Sequence, residues 1–271
     1  MAAAMVTPPH GALPGGMGLI PRTGPNPHPA LAPVTGAGPL PAVVDTRSQY
    51  LLAFDQGQHN TCTANSFAAM VEHQLIRQHV SVPYHRSRLY PYFYSWAGPG
   101  PVQDTGRAVD DVLNAIMQHG IPPEKDWPYT PNTTLAVTPS AAAQKAADRR
   151  HIVKASHIPP DPFQLMAALA AGYSVGLCTP IFESFARVQA AVVPMPKAGE
   201  TLWGYHQMTI GGYTTIALPG GIPAGSYLVL NSWGTNFGAA GWCWLPMAWI
   251  GASVNGIPLT QELIAVELVT P

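Results

Sequence analysis

The chain has 271 residues, with 13 Lys and Arg against 14 Asp and Glu, and only 10% of its residues are charged. That balance leaves no cationic excess to neutralise phosphates, which argues against a nucleic-acid partner. No apolar run approaches the ~20 residues that a membrane-spanning helix needs, and the length suits one large core or two lobes facing each other across a cleft.

The first segment does not read as a secretory signal. It has no early Lys or Arg, and Pro8, Pro9, Pro14, Gly15, Gly16 and Gly18 break its apolar stretches. Residues 1–44 hold ten prolines, seven glycines and a single charge, Arg22. Prolines lack amide donors and glycines are entropically costly to fix, so this stretch cannot build a core. It is expected to be extended or disordered, either as a linker or tail or as a segment that lies over the rest of the protein and regulates it. The expected organisation is a Pro/Gly-rich leader over 1–39 and a globular domain over 40–271.

From Asp45 onward the pattern is globular. Residues 63–79 read as a helix, with Phe67, Met70, Val71, Leu75 and Ile76 mostly at three- and four-residue spacings. Residues 107–119 read as a second helix that Gly120 stops, and 141–147 and 162–171 as shorter ones. After Gly172 the signal changes. Residues 173–179, 207–213, 226–231, 241–245 and 263–269 read as strands between Gly and Pro turns. Helices first and strands later predict an α+β chain of two lobes.

Three stretches carry chemistry. Asp55 to Ser66 places Cys62 where a loop enters a helix, and backbone amides there favour a thiolate. Taken alone, such a cysteine reads first as a buried structural thiol. Gly204 to Tyr213 places His206 at the start of an apolar strand, where a lone histidine is more often structural. Leu230 to Gly238 places Asn231 at the end of a strand and Trp233 in a glycine-rich turn.

Together these stretches resemble the papain-like cysteine peptidases. Gln56, Cys62, His206 and Asn231 occur in the family's order, and Gln56 stands six positions before Cys62. His206 follows Cys62 by 144 positions, within the range of roughly 130–150 quoted for such enzymes. Asn231-Ser232-Trp233-Gly234 is similar to the family's asparagine motif. Residues 40–47, Asp104-Thr105-Gly106, Gly120 and Trp127-Pro128-Tyr129 extend the resemblance over about residues 40–270.

The resemblance implies a helical left lobe carrying Cys62 and a β-barrel-like right lobe carrying His206 and Asn231. Cys62 would be the nucleophile in a thiolate–imidazolium pair with His206. Asn231 would orient the His206 ring, and Gln56 would serve the oxyanion hole. Gly106 would let an extended substrate backbone approach, Asp104 would belong to the same wall, and Trp233 would shield the His206–Asn231 contact. The partner is then a peptide or protein substrate, with the leader as an intramolecular partner that autoinhibits by laying a proline across the scissile position. An amidase or transpeptidase on the same fold, or a silent peptide-binding protein, are the alternatives.

The sequence departs from the plant and lysosomal signature in two places. His59 and Thr63 stand where a second cysteine and an aromatic are usual. Only 39 residues precede Leu40, against the long helical propeptide of many relatives. The 25-residue gap from His206 to Asn231 predicts a long hairpin loop at the cleft rim. With Cys62, Cys178 and Cys243 allowing one disulfide at most, a reducing compartment is expected, cytoplasmic or reached by export without a signal peptide. Cys178 and Cys243 read as buried and inert. The ten histidines, His73 and His79 among them, read as surface residues, and no metal or cofactor is called for.

Overall fold

A computed structural model of the chain describes residues 16–32, 39–130, 135, 137–188 and 191–270. Leader residues 1–15 and 33–38 lie outside these described residues. In chain order come β1 (Val43–Asp45), α1 (Cys62–Arg77), α2 (Leu89–Tyr94), α3 (Val109–His119), α4 (Ala141–Ala147), β2 (Ile152–His157) and α5 (Pro162–Ala170). They are followed by β3 (Ser174–Phe182), α6 (Glu183–Ala186), β4 (Leu202–Thr214), β5 (Ser226–Leu230), β6 (Trp242–Pro246), β7 (Ser253–Val254), β8 (Ile257–Pro258) and β9 (Glu262–Val269).

Helix α1 is the spine. Every residue from Cys62 to Leu75 is buried, so the helix is enclosed on all sides. Small residues make this possible: Ala64, Ala68 and Ala69 let neighbouring elements come close, while Phe67, Met70 and Val71 fill the gaps. One core forms around α1 and α3, and a second lies on the other face of the sheet around β3, β4, β5 and α5. Local signals fix the shorter helices. Asp161 caps α5 by accepting from Phe163 N and Gln164 N, with Pro162 at the first turn. Gly120 ends α3 at φ +71°, a conformation that disfavours any side chain.

The sheet runs β2-β9-β3-β4-β5-β6, with β1 paired to β4, and every pairing is antiparallel. It stays open. The barrel-like closure expected of the right lobe is absent among the described residues, because the edges β2 and β6 lie at opposite ends of the strand order. No helix among them is long and apolar enough to cross a membrane.

Several boundaries move. Helix α1 begins at Cys62 itself, and β4 begins at Leu202, so His206 lies inside a strand rather than at its start. Strand β2 and helix α2 carry weak sequence signals: Ile152–His157 does not alternate, and Leu89–Tyr94 contains Pro91. The long β4–β5 connection, 215–225, is confirmed as a hairpin loop but not at the cleft rim. It leaves β4 eight residues beyond His206, about 26 Å along an extended strand.

His73 corrects the surface reading. It is 1% exposed and stacks on Tyr50 with ring centroids 4.5 Å apart. Both ring nitrogens are buried without a hydrogen-bond partner. Burial, reinforced by nearby Arg77, pushes its pKa down to about 3. A histidine kept neutral in the native state and free to charge at its ordinary 6.5 when unfolded costs stability as pH falls from 6.5 towards 3. His73→Leu removes two unpaired polar atoms and that titration together. Its unfolding free energy, measured with denaturant, should gain on wild type as the pH is lowered from 7 to 4. A pH-independent difference would contradict this account.

Candidate active site

Cys62 is the first residue of α1, where unpaired amides and the helix dipole favour an anion. Its thiol is fully buried. Backbone groups of Gln207, Gly18, Thr63 and Cys62 itself favour its thiolate form. Gln207 follows His206 on β4, so the thiol lies against the strand that carries the imidazole.

His206 is oriented from behind. Its Nε2 lies 2.8 Å from Asn231 Oδ1. Oδ1 also accepts the backbone N–H of Ser232 at 2.8 Å, and an amide N–H can only donate. The side-chain oxygen of Asn231 therefore faces the ring, and Nε2 carries the hydrogen. The lone pair is left on Nδ1, which is buried without a hydrogen-bond partner. That nitrogen is free to take a proton, and no hydrogen bond joins it to Cys62 in this arrangement. Trp233 packs on the ring with centroids 5.1 Å apart and is itself held by Phe185 and Phe237.

Gln56 is fixed by the same turn. Ser232 Oγ donates to Gln56 Oε1, and Gln56 N donates to the Ser232 carbonyl at 2.9 Å. With Oε1 engaged, Nε2 points the other way. It donates to His59 O at 2.7 Å and to Gly16 O at 3.0 Å. Tyr129 OH donates to the Gln56 carbonyl at 2.7 Å, which braces the loop from the left lobe.

Cys62, His206, Asn231 and Gln56, the residues that sequence reasoning singles out, lie together, and Trp233 packs on the His206 ring. Sequence reasoning misses Ser232 and Tyr129, although the Asn-Ser-Trp-Gly and Trp-Pro-Tyr patterns contain both. Asp104 lies behind the 59–60 loop, whose carbonyls face the leader. Its carboxylate accepts from Asn60 N at 2.8 Å and pairs with His59 Nδ1 at 3.1 Å, and its carbonyl accepts from Asn60 Nδ2. It holds the loop that leads into Cys62.

The cleft is filled by the leader. Gly16 N donates to Gly57 O, Arg107 N donates to Gly18 O at 2.7 Å, Leu19 N donates to Tyr205 O, and Ile20 N donates to Arg107 O. Leu19 thus pairs with Arg107 beside Gly106, the place expected for an extended peptide. The fit is backbone to backbone. A Cβ on Gly106 (φ +81°) would lie 2.1 Å from Gly18 O, and Cβ atoms on Gly16 and Gly18 would lie 2.1 and 1.9 Å from the carbonyl oxygens of His59 and Asn60. Gly16, Met17 and Gly18, not the expected proline, therefore cross the centre: the two glycines clear the wall because they lack a Cβ, and the Met17 side chain lies on the Gly204 side instead. Met17 and Leu19 are buried on the two cores.

Farther along, Arg22 forms a bidentate pair with Asp110 on α3, both bonds 2.6 Å, and reaches Glu262 on β9 at 2.9 Å. His28 also pairs with Asp110, and Asn26 donates to Glu262. The strap is therefore tied to both walls by charge-assisted hydrogen bonds.

Covering the cleft sets the electrostatics. Burial pushes the Cys62 thiol up to about 11, and the surrounding backbone hydrogen bonds only partly oppose it. Burial likewise pushes His206 down to about 4 against the pull of Asn231. The helix terminus alone does not create a thiolate when water is excluded. Cys178 and Cys243 are buried free thiols, both pushed upward by burial, Cys243 to about 12.

Residues 40–253 match the profile of the papain family cysteine protease. A peptidase C1-like protein of Acanthamoeba polyphaga mimivirus is 25% identical over 216 residues, covering 76% of this chain and 67% of that protein. Xylellain, a cysteine protease from Xylella fastidiosa, superposes with a TM-score of 0.81 at 25% identity, covering 96% of this chain and 99% of that one. The digestive procathepsin L2 of the Tenebrio molitor larval midgut shares the fold, with a TM-score of 0.72 at 18% identity over 93% of this chain and 78% of that one.

Ser232→Ala removes one hydroxyl that aligns Gln56 and leaves the rest of the turn intact. Loss of one hydrogen bond, about 1 kcal/mol, should lower kcat on a peptide substrate by about fivefold with KM little changed. Steady-state kinetics with a check on folding measure it. An unchanged kcat would mean that the Ser232 contact does not set the amide.

Proposed function

Because the chain belongs to the papain family of cysteine proteases, and is thus a peptide-bond hydrolase, we propose that Cys62 is its nucleophile and His206 its acid–base partner. The His206–Asn231 bond carries this reading, since it leaves the basic nitrogen as Nδ1 on the strand that flanks the thiol. In the open cleft, water and substrate reach the pair. The desolvation that keeps it neutral is relieved, and the thiol proton passes to Nδ1. The Cys62 sulfur then attacks the scissile carbonyl carbon. Gln56 Nε2 and the Cys62 backbone N–H stabilise the tetrahedral oxyanion. His206 returns the proton to the leaving amine, and water releases the acyl group. Substrate backbone pairs alongside Gly106 and Arg107, where the leader pairs now. Trp233 keeps water from the His206–Asn231 contact, and Asp104 serves by holding the 59–60 loop.

The leader is read as an autoinhibitor. The Gly18 backbone lies along the Cys62 side of the cleft, Gln56 Nε2 is occupied by Gly16 O, and burial favours the neutral forms of Cys62 and His206. The Arg22–Asp110 tie is durable. The hydrogen bonds from Arg22 and His28 hold the Asp110 carboxyl below its ordinary 3.8, against the opposing pull of burial. Its contribution is therefore fully present above 3.8 and lost only as pH falls through the lowered value.

Two measurements test the proposal. Gln56→Ala should reduce kcat by about 100- to 1,000-fold, the usual cost of one oxyanion donor, and Cys62→Ala should abolish cleavage. Gly18→Val in the full chain places side-chain atoms against the Asn60 carbonyl, dislodges the strap, and should raise both peptide turnover and the rate of Cys62 alkylation. Full activity in Cys62→Ala would refute the catalytic assignment. Turnover unaltered in Gly18→Val would refute the autoinhibition.

A further inference from the structure

Five of the chain's 13 Lys and Arg residues line one cavity on the helical lobe: Arg86, Lys125, Lys145, Arg149 and Arg150, faced by a single carboxylate, Asp126. Its volume is about 480 Å³, within the usual range of small-molecule sites. Three segments form it: the loop after α1, the loop after α3, and α4 with the residues that follow it.

Arg86 is the informative residue. It is 6% exposed, yet its guanidinium makes no hydrogen bond or ion pair among the described residues, and its Nε is buried without a partner. Glu72, whose charge favours the cation, accepts instead from the Arg86 backbone N–H and pairs with His85. Arg150 opposes its charge and Asp126 partly favours it. A buried cation without a partner is costly, and a protein of nearly neutral composition has no general reason to concentrate cations there. The planar guanidinium fork matches the oxygens of a phosphate, and ammonium groups of Lys125 and Lys145 add charge at the rim. Lys125 sits 5.3 Å from the ring of half-exposed Tyr84, which supplies an apolar wall.

We propose that this cavity binds a soluble small molecule bearing two or more phosphate groups. The site is separate from the cleft and does not depend on the catalytic assignment. The probe is inorganic tripolyphosphate, titrated calorimetrically into the full chain carrying Cys62→Ala, which prevents self-cleavage. One saturable site is expected. Lys145 and Arg149 are exposed on and just after α4, so Lys145→Glu with Arg149→Glu should fold and weaken binding by at least tenfold. Arg86→Met should weaken it at least as much. Lys197→Glu, an exposed charge outside the cavity, should leave it unchanged. Absence of saturable heat up to millimolar probe, or equal weakening by Lys197→Glu, would overturn the proposal. So would binding to anionic phospholipid vesicles that tripolyphosphate does not displace, since that result assigns the cations to a lipid surface.

Discussion

The Asn231–Ser232 dipeptide holds the candidate site together. Asn231 Oδ1 orients the imidazole, and Ser232 Oγ orients the Gln56 amide. The Ser232 carbonyl also receives the Gln56 backbone N–H. Two consecutive residues after β5 thus align the His206 ring on one lobe and the Gln56 amide on the other. Because the two contacts share a rigid turn, a shift in one is felt by the other. Trp233, held among Phe185 and Phe237, keeps that turn in an apolar enclosure where such hydrogen bonds are strong.

The leader uses the same site in a different way. It enters as an extended strand whose glycines face the cleft wall and whose Met17 and Leu19 anchor in the two cores. Its polar continuation then fastens to Asp110 on one wall and Glu262 on the other. Apolar anchors supply area, backbone pairing supplies register, and the arginine fork supplies orientation. Burial in the covered cleft also disfavours charge on both the Cys62 sulfur and the His206 ring.

Much of the site was legible because spacing encodes it. Gln56, Cys62, His206 and Asn231 stand at separations that this fold brings to one cleft, and the helix stop at Gly120 follows from its lack of a side chain. Other features depend on partners distant in the chain. His73 read as a surface residue because nothing near it announces Tyr50 stacked on its ring. The 215–225 loop read as a rim because the sequence does not state how far β4 runs past His206. The alternation of Gly16 and Gly18 was visible, but composition could not choose between a floppy tail and a segment lying over the protein; its meaning needs the carbonyl oxygens of His59 and Asn60 opposite. Strand β2 went unseen because edge pairing with β9, rather than its own pattern, defines it.

The close approach between leader and cleft wall has a genetic consequence. At Gly16, Gly18 and Gly106 the crowding atoms are all main-chain atoms, so no neighbouring side chain can be trimmed to make room. A lesion at any of the three therefore has no second-site suppressor of the ordinary size-swapping kind. Revertants should restore glycine itself or reroute the strand.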